Sequence, residues 1–363
     1  MKPIKVLIAD DSPLMRSALA RIVASDRDLQ VVGLAVDGLD AVEQVKALQP
    51  DVVTLDIEMP RMNGLEALTR IMSVAPRPVI MLSSLSREGT RTTLDALDRG
   101  AFDFIAKPGA EAVMGIMDIR EELLAKIKNA AHSPLVRPSP PPARKEPAKA
   151  VACTPARVSG QPAVIAIGTS TGGPKALQEV LSQLPQQLPA GILVVQHMPL
   201  GFTSQFAERL NHICKVAVRE SKGDELVESG TVYIAPAGTH LTVYRSGTAC
   251  RTQLSKSPAD TLHTPSVDVL MNSVAKVYGS KAMGVLLTGM GNDGALGMKA
   301  VRDAGGWTIG QDAESCAVYG MPRAAAELNA LCRVAPLTQI AAEILAVFSQ
   351  LGSAASASAR TGR

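Results

Sequence analysis

Eight prolines fall between residues 133 and 162 (Pro134, Pro138, Pro140, Pro141, Pro142, Pro147, Pro155 and Pro162), with mostly small and basic residues among them. Each proline removes a backbone donor, and the stretch holds too little apolar surface to order a core. This interruption divides the 363-residue chain into two halves, each long enough to bury a core of its own. The spacing predicts a domain over 1–130, a tether over 131–162 and a second domain over 163–351. Residues 352–363, rich in Ser, Ala, Gly and Arg, read as a frayed tail. The net charge of +3 comes largely from the tether, and aromatics are only 3% of residues. A basic face and stacking surfaces for nucleic acid are both missing, so no nucleic-acid partner is expected. No apolar run reaches membrane-spanning length, and the apolar stretch after Met1 is too short for a signal peptide. Five scattered cysteines without a CxxC pair fit reduced thiols, and a cytoplasmic location is expected.

Before the tether, Ile4–Ala9, Val31–Ala35, Val52–Asp56, Val79–Ser83 and Phe102–Ala106 read as strands. Amphipathic stretches alternate with them, such as Pro13–Ala24 and Gly38–Leu48, the latter introduced by Asp37. Five such repeats predict a doubly wound α/β domain around a five-stranded parallel sheet. Beyond the tether the alternation resumes with Val164–Ile167, Gly191–Gln196, Val216–Arg219 and Ala282–Leu287 as strands. Helices are expected from Lys175, over Ser266–Val277 and over Ala295–Ala304. Three short pieces, Tyr233–Ala235, Leu241–Tyr244 and Ala249–Leu254, are separated by glycine-containing turns and read as an antiparallel insertion. The second domain is therefore expected to be largely parallel α/β with a short antiparallel insertion.

Chemistry-bearing residues gather at the carboxyl ends of the strands, where open α/β sheets place their sites. Asp10 and Asp11 follow the first strand, Asp56 ends the third, Ser83 ends the fourth, and Lys107-Pro108 follows the fifth. Three converging carboxylates repel one another unless a cation neutralises them, and Mg²⁺ suits an all-oxygen donor set. A carboxylate beside Mg²⁺, with a hydroxyl and an ammonium nearby, is equipped to attack a phosphoryl group. This order of residues resembles the receiver domain of bacterial response regulators over residues 4–125. The resemblance implies Asp56 as phosphoacceptor, Mg²⁺ held by Asp10, Asp11 and Asp56 with the Glu58 carbonyl, and a switch made of Ser83, Phe104 and Lys107.

In the second half, strand 163–167 runs into Gly168-Thr-Ser170-Thr-Gly-Gly-Pro, which sets Ser170 on a glycine-rich strand-to-helix turn. Such a turn exposes a hydroxyl to nearby N–H groups, although it would equally serve as a helix cap or a phosphate cradle. His197 follows the next strand, and Asp293 lies in the glycine-rich turn after strand 282–287. Together they supply nucleophile, base and orienter for acyl transfer. Gly168-x-Ser170-x-Gly172 matches the nucleophile elbow, but α/β-hydrolases run Ser, acid, His along the chain. Here the order is Ser, His, Asp, which disfavours an ordinary lipase.

The strings Ile167-Gly-Thr-Ser-Thr-Gly-Gly, Gln196-His-Met-Pro-Leu-Gly-Phe-Thr, Pro265-Ser-Val-Asp-Val-Leu, Leu287-Thr-Gly-Met-Gly-Asn-Asp-Gly and Gly320-Met-Pro-Arg occur in one order. That order resembles the chemotaxis protein-glutamate methylesterases, the CheB family. The resemblance implies hydrolysis of glutamate methyl esters on chemoreceptors, releasing methanol, and deamidation of receptor glutamines. It also implies Ser170, His197 and Asp293 as the triad and the backbone N–H groups of Thr171 and Met290 as the oxyanion hole. No cofactor is implied for hydrolysis. A histidine kinase of the chemotaxis system is the implied phosphodonor, with peripheral recruitment to receptor arrays and no membrane insertion. The competing class is a response regulator without catalysis, binding a nucleotide or partner through its glycine-rich turns. Those turns lack both a full G-x-G-x-x-G fingerprint and a P-loop lysine.

Overall fold

The computed structural model describes residues 2–84, 86–107, 119–133 and 163–360; Pro108 and most of the tether lie outside them. The chain divides into two compact units, Met1–Lys145 and Glu146–Arg363.

In the first unit, β1 (Ile4–Ala9), β2 (Leu29–Ala35), β3 (Val52–Asp56), β4 (Val79–Ser83) and β5 (Asp103–Ala106) form one parallel sheet in the order β2-β1-β3-β4-β5. The central strands are buried throughout, as a sheet covered on both faces requires. Helices α1 (Pro13–Ala24), α2 (Gly38–Leu48), α3 (Gly64–Val74) and α4 (Arg87–Asp98) start at Ser12, Asp37, Asn63 and Ser86. Each of those four side chains accepts a backbone N–H of the first turn. Helix α5 (Arg120–His132) packs Leu123 and Ile127 against Val6, Ile8, Leu19 and Ile105 in one core. It continues two residues into the stretch assigned from sequence to the tether.

The second unit opens with β6 (Val164–Thr169), α6 (Gly173–Ser182), β7 (Gly191–Gln196), α7 (Phe202–Ile213), β8 (Ala217–Glu220) and β9 (Thr231–Ile234). The hairpin β10 (His240–Ser246) and β11 (Ala249–Ser255) is antiparallel. Then follow α8 (Val267–Tyr278), β12 (Ala282–Leu286), α9 (Ala295–Asp303), β13 (Trp307–Gln311), α10 (Met321–Glu327), β14 (Arg333–Ala335) and α11 (Leu337–Arg360). Seven strands make a parallel sheet in the order β14-β13-β12-β6-β7-β9-β8.

Two readings of the sequence need correcting here. Tyr233 and Ile234 belong to the main parallel sheet, where β9 lies between β7 and β8, and only β10 and β11 make the antiparallel insertion. All four residues of β9 are buried, which is the pattern of a covered parallel strand and not of an exposed hairpin. The stretch expected to fray, 352–360, continues α11; its alanines favour helix. Among the described residues no helix is long and apolar enough to cross a membrane.

Strand β6 sits at the middle of this sheet, with β7 on one side and β12 on the other. The chain leaves β6 in one direction and returns on its opposite flank. The crevice beyond the carboxyl ends of β7, β6 and β12 is therefore the place where such a sheet can hold a ligand.

Candidate functional site

At the sheet edge of the first unit, the carboxylates of Asp10, Asp11 and Asp56 offer oxygens within 4.8 Å of one another. Lys107 lies among them, its ammonium 2.9 Å from Asp10 Oδ2 and 2.7 Å from Asp56 Oδ1. Burial pushes the Asp56 carboxyl up to about 6, against the pull of Lys107. Burial works to lower Lys107, but Asp56 and Asp10 outweigh it and raise the ammonium. A small all-oxygen donor set, two of its members buried, fits Mg²⁺. Glu58 lies in the loop leaving β3, two residues beyond Asp56. Ser83 is fully buried, and its hydroxyl accepts from Thr93 Oγ1 at 2.5 Å and reaches the Gly89 carbonyl at 3.2 Å. Phe104 is buried beneath the Lys126 ammonium, which lies 5.5 Å above the ring and donates to the Phe104 carbonyl at 2.6 Å.

In the second unit, the crevice beyond β7, β6 and β12 carries Ser170, His197 and Asp293. Ser170 is the first residue past β6, and its N–H donates to the Thr288 carbonyl at 3.0 Å, tying its turn to the one after β12. Gly172 takes φ +75°, and a side chain there would strike Ala317, so the turn is built for glycine. Gly289 packs so tightly on Ser170 that an added Cβ would lie 2.8 Å from the serine Cβ. His197 follows β7, and its N–H donates to the Thr169 carbonyl at 3.1 Å. Gln196, buried beside it, donates to the carbonyls of both Ser170 and His197 at 3.0 and 2.9 Å. The Ser170 turn and the His197 turn are therefore clamped by one amide.

Asp293 Oδ2 lies 2.8 Å from His197 Nε2. The same carboxylate accepts the Ser266 hydroxyl at 2.8 Å, the Val267 N–H at 2.8 Å and the Asp268 N–H at 3.0 Å. Asp293 is thus a helix cap, but of α8 and not of the helix that follows it. Burial alone would raise its carboxyl, yet the hydrogen bond and charge of His197 and the α8 N–H groups hold it at about 2. An anion fixed in this way keeps Nε2 protonated. The opposite ring nitrogen, His197 Nδ1, is buried and has no hydrogen-bond partner among the described residues. The Thr171 N–H likewise donates to no group among the described residues.

Sequence reasoning placed all three residues at this edge, and the structure brings His197 and Asp293 into contact. No hydrogen bond joins the Ser170 hydroxyl to the imidazole among the described residues; the turns they stand on are joined through Gln196 and Thr169. Three residues went unread. Gln196 and Ser266 stood inside motif strings, and the available signals were a polar residue closing an apolar strand and a serine heading a helical pattern. His263, whose ring stacks on His197 with centroids 4.1 Å apart, lies in a loop without periodicity. The three most exposed large apolar side chains of the described residues also border this crevice in sequence. They are Leu262 (87% exposed), Leu200 (67%) and Leu296 (62%), beside His263 and three residues past His197 and Asp293.

Residues 165–344 match the CheB methylesterase family model and residues 6–116 match the response regulator receiver domain model. A protein-glutamate methylesterase/protein-glutamine glutaminase of Escherichia coli K12 is 44% identical over 349 residues, covering 96% of this chain and 98% of that protein. A protein of the same name from Thiobacillus denitrificans is 43% identical over the same coverage. The crystal structure of the Thermotoga maritima CheB methylesterase catalytic domain superposes with a TM-score of 0.50 at 39% identity. It covers 52% of this chain and 99% of that one.

Proposed function

The chain belongs to the CheB methylesterase family, with a response regulator receiver domain ahead of the catalytic one, and from that premise we propose the chemistry of its two sites. It is a protein-glutamate methylesterase and protein-glutamine glutaminase, acting in regulated demethylation and deamidation of chemoreceptors. The domains are taken as 1–130 and 163–351, joined by 131–162, with α5 running on to His132 and α11 to Arg360. The observation that carries the catalytic assignment is the His197–Asp293 contact of 2.8 Å beside the turn that presents Ser170.

Ser170 attacks the γ-carbonyl of a glutamyl methyl ester or a glutamine, and His197 takes the serine proton. Because Nε2 is committed to Asp293, the accepting nitrogen is Nδ1. Negative charge developing on the carbonyl oxygen is met by the N–H groups of Thr171 and Met290. The imidazolium returns its proton to the departing methanol or ammonia, leaving an acyl-serine. Water, deprotonated by the same imidazole, then attacks that ester; the acyl–oxygen bond breaks, the imidazolium returns its proton to Ser170 Oγ, and the glutamate is freed. Asp293 stays anionic throughout and stabilises the cation that forms on the ring. A side-chain ester displayed on a protein helix would find apolar contact beyond the reacting atoms in the exposed Leu200, Leu262 and Leu296, which lie close in sequence to His197, His263 and Asp293.

In the receiver, Asp56 accepts a phosphoryl group from a histidine kinase, and Lys107 and Ser83 meet the charge on its oxygens. Asp10, Asp11 and Asp56, with the Glu58 carbonyl, would hold Mg²⁺, which when bound neutralises the carboxylates and the incoming phosphoryl oxygens. Phe104 with Ser83 relays that event. Localisation is cytoplasmic, with the substrate reached by recruitment to receptor arrays.

The test is Ser170→Ala in the full chain, assayed for methanol release from methylated receptor membranes and for ammonia release from glutamine-bearing receptor. Loss of at least about a thousandfold in both is expected, with thermal melting unchanged. Near-normal turnover by the folded variant overturns the nucleophile assignment.

A further inference from the structure

We propose that His263 is a positioning residue for this reaction: its ring, stacked on His197, holds the imidazole in the one orientation that gives Nε2 to Asp293 and Nδ1 to the serine. The proposal rests on the triad reading above. In the serine-protease precedent the orienting carboxylate grips Nδ1 and Nε2 faces the nucleophile. Here the two nitrogens exchange duties, because Asp293 Oδ2 meets Nε2 at 2.8 Å while Nδ1 stays buried without a partner among the described residues.

With either assignment of the two nitrogens, the ring's orientation about its Cβ–Cγ bond has to be held. Turning the ring by half a rotation about the Cβ–Cγ bond replaces Nε2 with a carbon at Asp293 and Nδ1 with a carbon at the reacting side. Both catalytic contacts are lost in a single motion. The Asp293 bond restrains one edge of the ring, and a flat neighbour on its face restrains the rest. His263 supplies that neighbour, with centroids 4.1 Å apart and planes inclined by 29°. The centroids stand a little closer than the roughly 4.5–7 Å usual for aromatic pairs, a close face contact between the two rings. It also presents a π face to the imidazolium that forms during turnover.

The segment carrying His263 is fastened for this purpose. Residues 256–265 link β11 to α8 outside the main sheet. The Thr264 carbonyl accepts the Gly238 N–H at 3.0 Å, and the fully buried His240 ties both ends of the segment. His240 Nδ1 accepts the Ser266 N–H at 3.1 Å, and Nε2, which must then carry the proton, donates to the Pro258 carbonyl at 3.0 Å. Ser266 in turn donates to Asp293. One pinned segment thus fixes the orienter through Ser266 and the ring of the base through His263.

The experiment compares His263→Ala and His263→Phe with wild type as full chains, on the same methylated receptor membranes. Phe keeps a flat ring and removes the nitrogens. His263→Ala is expected to lower kcat by roughly tenfold or more while KM moves less than about twofold, as loss of orientation and not of binding requires. His263→Phe should restore kcat to within about threefold of wild type. Heteronuclear NMR of the His197 ring nitrogens should give a single Nε2–H form in wild type and His263→Phe. In His263→Ala it should show the signature of a second ring environment. An unchanged kcat in a folded His263→Ala protein overturns the proposal, and so does a Phe variant as slow as the Ala variant. If Ser170→Ala retains activity, the triad reading itself fails; a neutral His263→Ala beside an inactive Ser170→Ala sinks the stacking role alone.

Discussion

Asp293 and Asp56 are carboxylates of similar burial that the fold drives in opposite directions. Asp293 meets four donors, His197 Nε2, the Ser266 hydroxyl and the N–H groups of Val267 and Asp268, and is held at about 2. Asp56 is pushed up to about 6 by burial, because one lysine and one backbone N–H do not replace the water it gave up. The first is finished as an anion inside the protein; the second stands in a cluster of oxygens that fits a cation. For Asp293 the sign of the linkage follows directly. Its folded value lies below the ordinary 3.8, so its stabilisation is present above that pH and is lost as pH falls toward about 2. Asp293→Asn should therefore cost on the order of 2 kcal/mol at neutral pH, and the gap from wild type should narrow as pH falls from about 4 to about 2. Urea unfolding of both proteins across that window checks it. A gap that does not change with pH would mean that shape and not charge holds the carboxylate. Turnover by the same variant should fall steeply, since the amide offers an N–H where the ring needs an acceptor.

At the scale of elements, helix starts divide the molecule. The receiver helices α1–α4 begin with Ser12, Asp37, Asn63 and Ser86 as side-chain caps. The three helices that follow the strands of the catalytic crevice begin instead at Gly172, Gly201 and Gly294, all left-handed and all without a side-chain cap bond. A capping side chain would occupy first-turn N–H groups that face the reacting edge. Gly201 has φ +86° and no neighbour within 4 Å of an added Cβ, whereas Gly294 at φ +93° would drive a Cβ to 2.7 Å from both Leu286 and Val267. Gly201→Ala should then cost only the left-handed backbone penalty, about 1 kcal/mol, and Gly294→Ala at least about twice that. Denaturant melts of the two variants distinguish the cases, and equal costs would remove the steric argument.

The glycines and the three residues they frame were legible in the sequence because each stands at a strand end, where a parallel sheet gathers its chemistry. So were Asp10, Asp56 and Lys107. Strand β9 was misassigned because four buried residues between turns carry no alternation to reveal their partner strand. His263 could not be read, because its place depends on His240, whose bond to Ser266 spans 26 residues through a loop.

As a whole, the molecule couples a phosphoryl-accepting unit to an ester-cleaving one on a single chain. Asp56→Asn should abolish kinase-dependent stimulation of methanol release while leaving unstimulated release near wild type. The substitution removes the carboxylate proposed as phosphoacceptor and changes no residue of the catalytic unit. Stable phosphate incorporation and full stimulation in that variant would assign the regulatory acceptor elsewhere. The catalytic sheet has a consequence of another kind. The hydroxyl of Thr169 bonds the carbonyl of Thr288 across 119 residues of chain, and His197 meets Asp293 across 96. Contacts so distant in sequence carry a high loop-closure cost and form slowly. A chain leaving the ribosome exposes its serine turn long before β12 arrives to seat against β6. Until that last central pairing closes, His197 stands without Asp293, so the site stays incomplete until the sheet itself is finished.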